Sequence, residues 1–153
     1  MLRALFIAVL ALTPPARVTA PPPTANDIPH EPLVVYEVSG FTFAGAIDRE
    51  LLLYQDGSAR LSSATTGPNG SSRLVVVPAL DAIALLSSLS EAGAFQLADQ
   101  TRTYSDTPLS TLTVMRPLTD ARAHTFSWWS ADGSYAPIEQ LLNNFIANAF
   151  PGM

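Results

Sequence analysis

A chain with no cysteine behind an apparent export address must hold its fold together by core packing alone. Met1-Leu2-Arg3 is a short positive start, and Ala4 to Leu12 is an unbroken apolar run, the order of a secretory signal. The run falls well short of the roughly 20 residues that a membrane-spanning helix requires. Residues 1–20 are read as a signal peptide, with Val18-Thr19-Ala20 as the small-x-small cleavage pattern. Pro21 directly after that pattern obstructs the peptidase, so the mature start stays open. The expected location is secreted, periplasmic or cell-surface, with membrane contact only through an uncleaved signal segment. Disulfide scaffolds, thiol nucleophiles, thiolate metal sites and lipid-modified cysteine are all excluded.

Pro21-Pro22-Pro23, Pro29 and Pro32 keep the next stretch extended and without ladder donors, so residues 21–32 are read as a stiff Pro-rich tether. Residues 33–153 are then one domain. Hydrophobic residues make up 48% of the chain and charged residues only 14%, which supplies a packed core. Beyond residue 20, six Arg stand against thirteen carboxylates, a net charge of −7. Nucleic acid is excluded as a partner on that balance, because such binding rests on cations neutralising phosphates. The chain has no Lys, which removes Schiff-base and Ser–Lys chemistry.

The expected fold class is α+β: an antiparallel sheet of four to five strands packed with two helices, ordered β-β-β(-β)-α-β-β-α. Leu33 to Val38 is β-branched and aromatic, a strand. Ser39 to Gly45 reads as a glycine-bracketed loop carrying Phe41 and Phe43. Arg49 to Tyr54 leads through Gln55-Asp56-Gly57-Ser58, a hairpin turn, into a strand over Ser58 to Ser62. Ala64 to Ser72 lacks periodicity and reads as a loop, with a glycosylation sequon at Asn69-Gly70-Ser71. Leu74 to Val77 resumes the sheet. Pro78 opens a helix on which Ile83, Leu86, Leu89 and Ser90 recur, with Gly93 as its stop. Phe95 and Leu97 form an apolar hook. Leu109 to Arg116 and Ala121 to Trp129 are strands about a turn at Pro117 to Asp120. The last helix is the clearest: Ile138, Leu141, Leu142, Phe145, Ile146, Ala149 and Phe150 make one stripe behind Pro137.

Catalytic chemistry is hard to place on these residues. No Gly-x-Ser-x-Gly elbow exists, and within the domain His124 is the single imidazole, on a strand beside Phe126 and Trp128. His30 lies in the tether without a second His four residues on, so no zinc motif forms. Asp48 with Glu50, or Glu50 with Asp56, has the makings of a glycosidase pair, but surface carboxylates account for both. The expectation is a non-enzyme with no cofactor and no metal site. Strand alternation puts Trp128 and Trp129 on opposite faces, so one enters the core and the other is left as a contact candidate. Which of them is buried stays open, and Trp129 is carried as the candidate. Phe41 and Phe43 either insert into a partner's cleft, or one of them folds back over the helices while the glycines serve the bend.

A first strand ending in Ser39-Gly40, with Phe41 and Ala44-Gly45 close behind, is followed by an acidic and aliphatic strand. With the helix end Glu91-Ala92-Gly93-Ala94-Phe95-x-Leu97, the segment Phe126-Ser127-Trp128 and a final Leu-Leu helix, these features resemble the emfourin-like family. Those are small bacterial domains encoded beside or fused to thermolysin-like metallopeptidases. The resemblance covers most of residues 33–150 as an order of elements. The family's loop reads Ser-Gly-Gly-Phe-Ala-Gly, whereas Gly40 here is followed by Phe41-Thr42-Phe43-Ala44-Gly45. The resemblance implies a non-enzymatic domain that binds a secreted metallopeptidase and blocks its cleft. The partner-binding residues it nominates are Ser39, Gly40, Phe41, Thr42, Phe43 and Gly45, to which Trp129 is added as a contact candidate. The other expectation is a cell-surface structural or accessory domain.

Overall fold

The computed structural model describes residues 31–42, 45–65, 70–101, 106–115, 123–129 and 131–153. The signal peptide and nearly all of the tether lie outside the described residues, as do the 117–120 turn, Phe43 and Asn69 of the sequon. In chain order the elements are β1 (Val34–Thr42), β2 (Gly45–Leu53), β3 (Ser58–Thr65), β4 (Ser71–Val76), α1 (Ala79–Glu91), β5 (Leu109–Met115), β6 (Ala123–Trp128) and α2 (Ala136–Ala149). All six strands join one antiparallel sheet in the order β4-β3-β2-β1-β5-β6. The fold is α+β, with six strands rather than four to five, because β4 pairs with β3 as a full edge strand.

Alternation along the strands sends Val34 and Tyr36, Leu51 and Leu53, Leu112 and Val114, and Phe126 and Trp128 to one face, where both helices bury their apolar sides. The stripe expected on α2 is borne out. Ile138, Leu142, Ile146 and Phe150 are buried, and Leu141, Phe145 and Ala149 pack around them. Phe95 and Leu97 pack against the same core, as the hook reading expects.

On α1 the expected stripe is off by one residue. Ala82, Leu85, Leu86 and Leu89 face the sheet, while Ile83 and Ser90 point to solvent. Ala82 completes the i, i+3, i+4, i+7 set on which a core-facing helix depends, and small Ala lets the helix sit close. Gly93 ends this helix as expected: it takes φ +89°, and Ala94 N–H reaches back to Leu89 O at 2.9 Å.

Two segments that read as loops belong instead to strands. Ala64 and Thr65 extend β3 against Asp48 and Ile47, and Ser71 and Ser72 belong to β4 opposite Ser63 and Ser62. Polar residues without periodicity are held extended here by ladder hydrogen bonds to a neighbouring strand, a tertiary effect that outweighs local propensity.

Candidate functional site

The described residues of the Ser39–Gly45 segment are also strand and not loop. Ser39 to Thr42 finish β1, Gly45 opens β2, and the two strands stay paired out to Thr42↔Gly45. Among the described strands, β5 follows β1 only as far as Ser39↔Leu109, and β3 joins β2 only from Ile47↔Thr65. Gly40, opposite Ile47, is the last row flanked by a third strand, so Phe41 and Thr42 overhang the sheet by about 7 Å at roughly 3.3 Å per residue. Thr42 Oγ1 donates to Gly45 O at 3.2 Å across the neck of this hairpin. At its base Gly40 holds φ +145°, and a Cβ there would stand 3.0 Å from Pro108 Cα. The glycine thus serves the close passage of the 106–109 segment, and it anchors the overhang. Phe41 is 74% exposed on this projection, so it is not the ring that folds back over the helices; Phe43 lies outside the described residues. Ser39 is exposed, and Gly40, Thr42 and Gly45 are half-buried.

The register brings Trp129 to the same end of the sheet. Val38 pairs with Ser110 and Ser110 with Trp128, so Trp129 follows one residue beyond that row, two strands from β1. Trp128 is the buried member of the pair, at 1% exposure, while Trp129 is half-buried. Trp128 stacks on Tyr36, Phe126 and Tyr135 and donates Nε1–H to Glu139 Oε2 at 2.9 Å. Trp129 N–H is taken by Gln100 Oε1 at 2.7 Å, which pins the strand end.

His124 is spent structurally. Its Nε2 lies 2.8 Å from Leu97 O, and its ring sits between Phe95 and Phe126. A carbonyl accepts only, so Nε2 carries the proton. This bond ties the 94–97 hook to β6.

The sheet face away from the helices carries an open basin of about 510 Å³. Glu37, Asp48 and Glu50 line it together with Ser62 and Ser72. Glu37 stands directly opposite Glu50, a like-charge pair that costs stability. Arg60 relieves it from the next strand, with Nη2 at 3.0 Å from Glu50 Oε2. Asp56 does not join them. Its carboxylate accepts from Ser58 N–H at 2.8 Å and Ser58 Oγ at 3.0 Å, which closes the β2–β3 turn. Among the described residues no group of three His, Asp or Glu side chains is arranged to hold a metal ion, and no helix is long and apolar enough to cross a membrane.

Within the sheet, on the helical side, Tyr36 is buried with its hydroxyl hydrogen-bonded to Ser110 and Arg49. Arg49 also donates from Nη2 to Asn143 Oδ1 at 3.3 Å, linking β2 to α2. Burial pushes the Tyr36 phenol above its ordinary 10.0; the Ser110 bond opposes this, the Glu139 charge adds to it, and Arg49 works against it. A phenol that keeps its proton in the fold contributes stability that is fully present below pH 10 and is lost as pH rises through the folded value. The melting temperature should therefore fall above about pH 10, and less steeply in Tyr36→Phe. Equal alkaline slopes for the two proteins would show that Tyr36 does not drive the loss.

No protein-family model matches the chain, and no curated protein matches it.

Proposed function

We propose that this chain is an exported, non-enzymatic protein-binding domain that acts through the tip of the β1–β2 hairpin. The partner class we propose is a secreted metallopeptidase of the thermolysin-like kind, whose cleft the tip would enter. The observation that carries the reading is Phe41: a large ring, 74% exposed, on a projection held by a paired strand and a packed base. An aromatic presented on a pre-ordered projection loses little entropy on binding, which is how interface anchors reach their large energies. Trp129, half-buried at the same end of the sheet but two strands away, is a second contact candidate.

The test is inhibition of a thermolysin-like peptidase by the purified protein, titrated to near-stoichiometric amounts. Potent, saturable inhibition is expected. Phe41→Ala should weaken it by about 2 kcal/mol, roughly 30-fold, the size of an interface hot spot. Its melting temperature should not move, because the ring packs on nothing that the fold needs. A Phe41→Ala protein that inhibits as well as the parent would rule out the hairpin tip. If several such enzymes go uninhibited, the peptidase is rejected as partner, and the cell-surface accessory domain takes its place.

A further inference from the structure

The two edges of the sheet are built differently. The β6 edge is closed by the 97–100 segment: Gln100 N–H donates to Ser127 O at 2.8 Å, and Asp99 Oδ1 accepts from Ser127 N–H at 2.8 Å. No strand flanks the β4 edge among the described residues. Val77 N–H bonds Gly57 O at 2.9 Å, so by antiparallel alternation Arg73 and Val75 also bond toward β3. Ser72, Leu74 and Val76 then turn their main-chain N–H and C=O groups outward. This edge is lightly protected: it contains no Lys, Asp, Glu or Pro, and its one charged side chain is Arg73.

Exposed apolar side chains also lie close to this edge along the chain. Of the five large exposed hydrophobic side chains among the described residues, Val76 (56%), Leu80 (76%), Ile83 (52%) and Met153 (46%) belong to β4, to the start of α1 that leaves it, or to the tail beside it. Arg73 Nη1 holds that tail, donating to Pro151 O at 3.1 Å. Leu80 and Ile83, three apart, share one side of α1.

We propose that the β4 edge is a self-association interface, at which two copies pair β4 against β4 antiparallel about a two-fold axis and join their sheets. The outward groups are self-complementary. With the axis at Leu74, each Leu74 exchanges both main-chain bonds with its counterpart, and Ser72 does the same with the opposing Val76. The charges fit as well, since Arg73 comes opposite the second copy's Val75 rather than its Arg73. A bare extended peptide would satisfy the edge but leave Leu80, Ile83 and Met153 uncovered in the helical layer. A second copy brings its own helical layer to the same side of the seam. Such a dimer carries its two hairpin tips at opposite ends, so it binds two partner molecules.

Sedimentation velocity on the purified protein, from about 1 to 100 μM, follows the expected monomer–dimer equilibrium. Leu74→Lys sets two like charges against each other on the axis and should weaken the dimer by on the order of tenfold or more. Val76→Lys, at a more exposed site, should do the same while its melting temperature matches the parent's at concentrations where the parent is monomeric, and it decides the matter if Leu74→Lys fails to fold. A parent protein that stays monomeric throughout, or a dimer that Val76→Lys leaves intact, overturns the proposal.

Discussion

Gly57→Ala should lower the melting temperature by about 10 °C or more, because two independent costs fall on one methyl group. The first is conformational. Gly57 holds φ +86° in the β2–β3 turn, where an L side chain is strained by about 1–3 kcal/mol. The second is steric and larger. A Cβ on Gly57 would lie 2.1 Å from Val77 O, a separation that real Cβ atoms do not reach. Val77 must then retreat, and with it goes the 2.9 Å bond from Val77 N–H to Gly57 O that joins the end of β4 to the turn. Pro78 and α1 follow directly, so the displacement passes into the seating of Ala82 and Leu85. Gly133→Ala is the control. Its φ is +50°, with no heavy atom within 4 Å of an added Cβ, so it bears the conformational cost alone. Thermal unfolding of the two variants separates the terms, and equal shifts would mean that the contact with Val77 yields without cost.

Trp128→Ala should cost about 3–5 kcal/mol, the range for a large aromatic removed from a core. The indole is 1% exposed, with ring centroids 5.5 Å from Phe126, 5.9 Å from Tyr135 and 6.0 Å from Tyr36. Its Nε1–H also satisfies Glu139 on the first turn of α2, so its loss leaves a carboxylate there without its donor. Trp128→Phe keeps most of the stack and loses the bond, and it should fall between the parent and Trp128→Ala. Trp129→Ala, at a half-buried ring, should cost no more than about 1 kcal/mol. Urea unfolding orders the four proteins. A Trp129→Ala protein as unstable as Trp128→Ala would show that the end of β6 is held by both rings.

Much of the architecture was legible in the residues, and it was legible where local chemistry and burial agree. The α2 stripe, the Asp56-Gly57 turn, the Gly93 stop and the β5 and β6 alternation each combine a period with a matching turn or cap, so little else fits them. The strand misreadings have one cause. Ser39 to Thr42, Ala64 and Thr65, and Ser71 and Ser72 look like loops because they are polar or glycine-bearing, yet each is held extended by a partner strand. On α1, Ile83 outranks Ala82 as a hydrophobe but faces solvent, because the docking of the whole helix set its rotation.

For the candidate site the division is similar. Composition and spacing alone determined that no thiol chemistry is available and that Phe41 and Phe43 lie between Gly40 and Gly45. They determined too that one tryptophan of the pair must leave the core, since adjacent residues of a strand face opposite ways. Only the tertiary structure decided that Trp128 is the buried one, because Glu139 and the Tyr36 and Tyr135 rings lie on the helical side of the sheet. It alone decided that Phe41 rides an overhang, since strand lengths become unequal only once register is set. The contrast between a closed β6 edge and an open β4 edge arises in the same way. Pairing distributes backbone hydrogen bonds among strands, and no single strand's sequence records which of its two sides is left over.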